Sequence, residues 1–173
     1  MKQSNATIMR KFKTVEDTNN NANKKCSCQN KKECPLDGNC LISTVVYEAT
    51  LETDSGQPYT YIGLTEGTFK TRLYGHHYDF KHEKQEHSTE LSKKVWELKR
   101  SGVGYKITWR IIDKTQPYKE GAQGCNLCIT EKYHILTSQA KNLLNTRKEL
   151  ISKCRHMNKF MLKNVKIRIR PHR

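Results

Sequence analysis

Seven cysteines in a chain of 173 residues, gathered in two groups, restrict the folds open to this sequence more than any other feature. Four of them, Cys26, Cys28, Cys34 and Cys40, share a segment of turn residues (Pro35, Asp37, Gly38, Asn39) with too few apolar side chains for a core of its own. The others, Cys125, Cys128 and Cys154, lie in the second half of the chain. An odd count argues against a disulfide framework, and so does a polar, lysine-rich start (Met1 to Asn30) with no secretory-signal pattern. Clustered thiols in a reducing compartment usually bind zinc. The first choice of ligands is the four amino-terminal cysteines, spaced C-x-C-x5-C-x5-C, and the alternative is a Cys2His2 set of Cys34, Cys40, His82 and His87. A second site would combine Cys125-x2-Cys128 with Cys154 and His156, and the alternative there is three buried cysteines without metal. One or two structural Zn2+ ions are therefore expected.

Charge narrows the partner. Lys and Arg number 32 against 17 Asp and Glu, a net charge of +15. That excess predicts attraction to a polyanion, with nucleic acid ahead of an acidic membrane surface. No stretch is long and apolar enough to span a bilayer. A soluble, intracellular, nuclear protein is expected.

Along the chain, residues 1–24 read as a disordered polar segment, 25–41 as the Cys-rich lead-in, 42–162 as one folded domain and 163–173 as a basic tail. Ser43–Glu52 is rich in β-branched residues, Thr53-Asp54-Ser55-Gly56 is turn chemistry, and Tyr59–Thr65 completes a hairpin. Thr68 caps a first helix with Phe69, Leu73 and Phe80 near one face, and residues 81–88 form a charged loop. Ser88 caps a second helix (Leu91, Val95, Leu98) that Gly102 ends. Lys106–Ile112 is a third strand with Ile107, Trp109 and Ile111 on one face, and Cys125–Thr137 is a third helix. Thr146 and Glu149 make a capping box for a fourth, running to about Cys154. The order predicts an α+β fold, a small, mainly antiparallel three-stranded sheet flanked by helices.

Within this frame a set of reactive side chains recurs in order. The hairpin supplies Tyr47 and Tyr61, and the next helix carries Arg72 and His76 four residues apart on one face. Glu131 follows on a later helix, then Asn145. Each has a plainer reading: packing tyrosines, a solvated basic face, a Glu131–Lys132 surface pair, and a turn or cap asparagine. As a hard oxygen ligand, Glu131 suits Mg2+ or Mn2+, and Arg72 offers a permanent cation to phosphate oxygens.

The set resembles the GIY-YIG nuclease family over roughly residues 42–150, through Val45-Val46-Tyr47, Tyr61-Ile62-Gly63, Arg72, Glu131 and Asn145. The second motif is intact; in the first, Val45-Val46 replaces Gly-Ile while Tyr47 is kept. A narrower resemblance is to the endonuclease of Penelope-like retroelements, carried by the Cys-rich lead-in, GLTEGTFKTR (63–72), STELSKKVWELK (88–99), CNLCITEK (125–132) and LLNTRKELISKCRH (143–156). That likeness implies a GIY-YIG fold and a DNA endonuclease that uses one divalent metal ion. It would nick target DNA for reverse transcription primed at the cut, beside a reverse transcriptase domain in a parent polyprotein. It implies Tyr47 as general base, Tyr61 orienting water or phosphate, His76 relaying a proton or contacting phosphate, Glu131 holding the metal, and Asn145 holding geometry. Lys70, Arg72, His76, Lys93 and Lys94 would meet the DNA. The alternative is a zinc-stabilised nucleic-acid-binding module without catalysis; a protein-interaction domain would leave the charge unexplained.

Overall fold

Two extended runs of β-branched and aromatic residues, Ser43–Thr53 (β1) and Tyr59–Thr68 (β2), pair antiparallel in a computed structural model that describes residues 25–54, 56–119, 124–146 and 154. A third strand, β3 (Tyr105–Lys114), pairs antiparallel with the other side of β1, so the sheet order is β2-β1-β3. The central strand is buried on both faces, which is why its sequence reads as a nearly unbroken apolar run. β3, at an edge, alternates half-buried and exposed residues until Ile111, as a one-sided strand should.

Helices cover both faces. Thr68 caps α1 (Phe69–Lys81) by accepting a hydrogen bond from Thr71 N–H, as its sequence position predicts. On this side Tyr47, Ala49, Leu51 and Tyr61 of the sheet pack against Phe69, Leu73 and Phe80 of α1 and Leu91, Val95 and Leu98 of α2 (Glu90–Arg100). On the other side Val46, Ile62 and Leu64 pack against Leu127, Cys128 and Ile135 of α3 (Asn126–Thr137). Gly102, at φ +67, follows α2 as expected, and its N–H bonds Lys99 O at 3.2 Å.

Two local readings are corrected. The cap of α2 is Thr89, whose hydroxyl accepts from Ser92 N–H at 3.0 Å. Ser88 instead donates to Asp79 Oδ2 at 2.8 Å and closes a 3-10 turn, Glu83–Ser88, within what reads as a loop. Ser and Thr are near-equal caps, so sequence alone could not choose between adjacent ones. β3 also contains a bulge, since Val46 pairs Asp113 while Tyr47 pairs Ile111. The extra Ile112 turns to the α3 side and carries Asp113 to that face as well. The expected helix from Thr146 to Cys154, apart from its two ends, and the calls on residues 1–24 and 163–173 lie outside the described residues.

The free edge of β2 is closed by the chain beyond α3. Thr60 N–H bonds Asn142 O at 3.0 Å, Leu144 N–H bonds Thr60 O at 2.8 Å, and the Asn145 amide then takes over, pairing both backbone groups of Ile62 at 2.8 Å each. Across the hairpin Tyr47 faces Gly63. A Cβ at position 63 would stand 2.5 Å from Tyr47 Oη and 2.7 Å from Cζ, so the phenol requires the glycine. Gly63→Ala should displace Tyr47 and lower stability by about 1–3 kcal/mol. Gly75→Ala in α1, where a Cβ meets nothing within 4 Å, should raise stability by up to about 1 kcal/mol. Denaturant titration of the two variants checks both signs.

Candidate functional site

The centre of the site is the Tyr47 hydroxyl. Arg72 donates its Nε–H to it at 2.9 Å, and His76 Nε2 lies 2.7 Å away. The central strand supplies the tyrosine, and one turn of α1 supplies both partners, because residues four apart share a helix face. Tyr47 and His76 are fully buried, Tyr61 is 5 % exposed, and Arg72 is half-buried. His76 is boxed by aromatic rings, with centroids of Tyr47 and Phe80 at 5.8 Å, Tyr61 at 6.2 Å and Trp109 at 5.2 Å.

Electrostatics fix the protonation of the histidine. Burial, reinforced by the Arg72 guanidinium, pushes His76 down to about 3, so it is neutral at physiological pH. Burial alone would lower Arg72, but Tyr47, Tyr61 and Asp79 together outweigh it and raise the guanidinium further. With Arg72 donating to the phenol oxygen, the phenol proton is free to point at His76 Nε2. The imidazole hydrogen then sits on Nδ1, a buried atom with no partner among the described residues.

Of the other residues singled out in the sequence, Asn145 serves β2 as described above. Glu131 shares the sheet-facing stripe of α3 with Leu127, Cys128 and Ile135; it is half-buried, with Lys132 Nζ at 3.7 Å. Tyr47, Arg72, His76 and Tyr61 thus come together beneath α1, while the helix that bears Glu131 packs on the Val46, Ile62 and Leu64 side. The lysines all have partners within the chain. Lys70 Nζ donates to Ser27 O and Oγ at 2.9 Å, Lys93 pairs Glu90 at 2.6 Å, and Lys94 pairs Glu97 at 2.8 Å while lying 4.3 Å above the Tyr59 ring.

Sequence reading missed one constellation. His134 Nε2 lies 3.1 Å from Asp113 Oδ2, beside a cleft of about 570 Å3 that Glu48, Arg110 and Ser138 also line. No local signal could reveal it, because the Ile112 bulge is what turns Asp113 toward α3.

The amino-terminal cysteines converge. Sγ atoms of Cys26 and Cys34 are 3.7 Å apart, those of Cys28 and Cys40 3.7 Å, and those of Cys26 and Cys40 3.5 Å. A tetrahedron of thiolates around zinc, at about 2.3 Å from metal to sulfur, has edges of roughly 3.8 Å, whereas a disulfide measures about 2 Å. The four thiols therefore fit a zinc-like ion, and the group includes no histidine. His82, the proposed alternative ligand, stacks on Tyr78 at 3.9 Å. Burial would raise Cys34, but backbone hydrogen bonds from Leu36 and Gly38 bring it down to about 6, the behaviour of a thiol prepared as thiolate. Cys28, by contrast, is pushed up to about 12 by burial and by its thiol neighbours, so without a cation the cluster cannot carry four charges. Cys125, Cys128 and Cys154 form a second group, with Cys128 and Cys154 sulfurs 3.4 Å apart at the start of α3. Three thiols leave one position of a tetrahedron for another ligand; His156, the expected one, lies outside the described residues.

Two outcomes follow. Cys34→Ser should lower the zinc content of the purified protein by one equivalent per chain, read by mass spectrometry of the metal; an unchanged content would remove this cluster as a metal centre. His76 binds its proton in the unfolded chain near 6.5 and in the folded one near 3. Its contribution to stability is therefore complete above 6.5 and falls with pH toward 3, by up to about 1.4 kcal/mol per pH unit. Melting curves at pH 7 and 4.5 should show a smaller acid loss in His76→Gln than in the wild type, and equal losses would contradict it.

Compared with protein-family models, curated proteins and solved structures, the chain matches none of them.

Proposed function

We propose that this chain is a metal-dependent endodeoxyribonuclease with a GIY-YIG fold, similar to the endonuclease of Penelope-like retroelements. It nicks target DNA in the nucleus beside a reverse transcriptase partner. The observation that carries the reading is the Tyr47 hydroxyl held between a permanent cation and a neutral imidazole, on a strand pair whose Gly63 makes room for it. A net charge of +15 supports a polyanionic substrate.

In this reading Tyr47 takes a proton from the attacking water. A guanidinium against a phenol oxygen favours the phenolate, the form that can do so. Tyr47 loses its own proton to solvent before it takes one from water, and His76 stays neutral throughout: it accepts the phenol hydrogen bond while Tyr47 is protonated, and as the Nε2–H tautomer it donates to the phenolate oxygen. Arg72, the partly exposed member of the cluster, meets the phosphate. Tyr61 walls the site and orients water or phosphate. Glu131 is a single half-buried carboxylate, which fits Mg2+ or Mn2+ because such ions commonly take one or two carboxylates and keep several waters. Glu131 lies on the α3 side of the sheet, so this reading requires one phosphate to reach from Arg72 to an ion held at Glu131; that ion would supply positive charge to the leaving 3′ oxygen and the phosphate. The thiol clusters hold structural zinc, one fixing the start of α1 and the other the start of α3.

The full burial of Tyr47 favours a second reading, a zinc-stabilised nucleic-acid-binding module without catalysis. Plasmid nicking separates the two. With Mg2+ or Mn2+ the wild type should convert supercoiled DNA to nicked circles. Arg72→Ala and Glu131→Ala should fall by a factor on the order of 10² or more while keeping their zinc and their far-ultraviolet spectra. No nicking by folded, zinc-loaded, DNA-binding wild type would leave the binding module.

A further inference from the structure

The outer face of α1 carries an arrangement that neither the cleavage chemistry nor the core uses. Tyr74 and Tyr78 stand four residues apart on it, 58 % and 54 % exposed, where tyrosine is ordinarily of intermediate burial. Basic groups border them. Lys70 Nζ lies 5.6 Å from the Tyr74 ring centroid, and Lys81 follows one turn after His77. Asp79 is the single acid in this helix, and its carboxylate accepts from Ser88. The Tyr78 ring already stacks a flat heterocycle, the His82 imidazole, at 3.9 Å and 25° between planes.

We infer that this stripe is a stacking platform for unpaired nucleotides of a single strand, on the face of α1 turned away from Arg72. This rests on the nucleic-acid reading above. Charge complementarity excludes a cationic partner, and the spacing of the rings selects the strand state. Residues four apart on a helix are separated by about 6 Å along its axis, whereas stacked bases in duplex DNA repeat at about 3.4 Å. Two successive bases can each lie on one tyrosine only if they have left the stack, as in a melted or single-stranded segment. Aromatic stacking between basic side chains is the general means of holding such strands, without base readout.

The probes are fluorescein-labelled dT12 and a 12-base-pair duplex, titrated with the full-length, zinc-loaded protein by anisotropy. Tyr74→Ala/Tyr78→Ala should weaken dT12 binding at least tenfold, leave duplex binding within threefold, and keep the slope of log affinity against log salt, because no phosphate contact is lost. Tyr74→Phe/Tyr78→Phe, which retains the rings, should bind dT12 within threefold of the wild type. Unchanged dT12 binding in the alanine pair, or an equal loss on both probes, would overturn the platform. Plasmid nicking by the wild type is scored separately. Selective loss on dT12 without nicking upholds the platform and removes the nuclease, and nicking with unchanged dT12 binding does the reverse.

Discussion

The phenol of Tyr47 lies across the backbone of Gly63, and most of the site follows from that overlap. A side chain at position 63 would lift the ring away from the sheet. With none there, the ring stays down and its hydroxyl reaches α1, which begins directly where β2 ends. Arg72 and His76 need then only be one turn apart to meet the same oxygen from two sides. Three polar groups, two of them fully buried, are held together because each serves another. The His76 Nδ1 left over is the residual imbalance of that arrangement.

The Cys-rich segment takes part in this geometry. The first amide groups of a helix lack partners within it, and at α1 the lead-in supplies them: Phe69 N–H bonds Ile42 O at 2.8 Å, and Lys70 N–H bonds Cys40 O at 2.9 Å. The Lys70 ammonium adds contacts to Ser27. A tetrathiolate metal centre would be anionic overall, so a lysine lying against it is electrostatically apt. The lead-in and α1 behave as one mechanical unit, and distortion of the thiol cluster reaches the helix that bears Arg72.

Much of this was legible in the sequence because it is local. The hairpin, the Thr68 cap, the Gly102 stop and the faces of α1 and α2 each depend on residues within a turn or two of one another. The grouping of the four cysteines was legible for the same reason. What escaped was set by tertiary pairing. Thr89 took the cap because Ser88 found Asp79, and Asp113 met His134 because β3 bulges at Ile112. Asn145 could be placed in a motif, but its use as a surrogate strand for Ile62 needs a contact across 83 residues that no spacing announces. Lys70, Lys93 and Lys94 were legible as cations, while their partners within the chain were not.

That long contact also orders events in time. The edge of β2 is synthesised some eighty residues before the backbone and amide groups that close it, which arrive only with residues 142–145. Until then the nascent hairpin presents an open row of donors and acceptors, the surface on which strands of different molecules join. Contacts so distant in sequence form slowly, since a large loop must close before they contribute. A ribosome that stalls within α3 would release a chain with its sheet built and its edge uncovered, so synthesis through Asn145 itself protects this fold from aggregation.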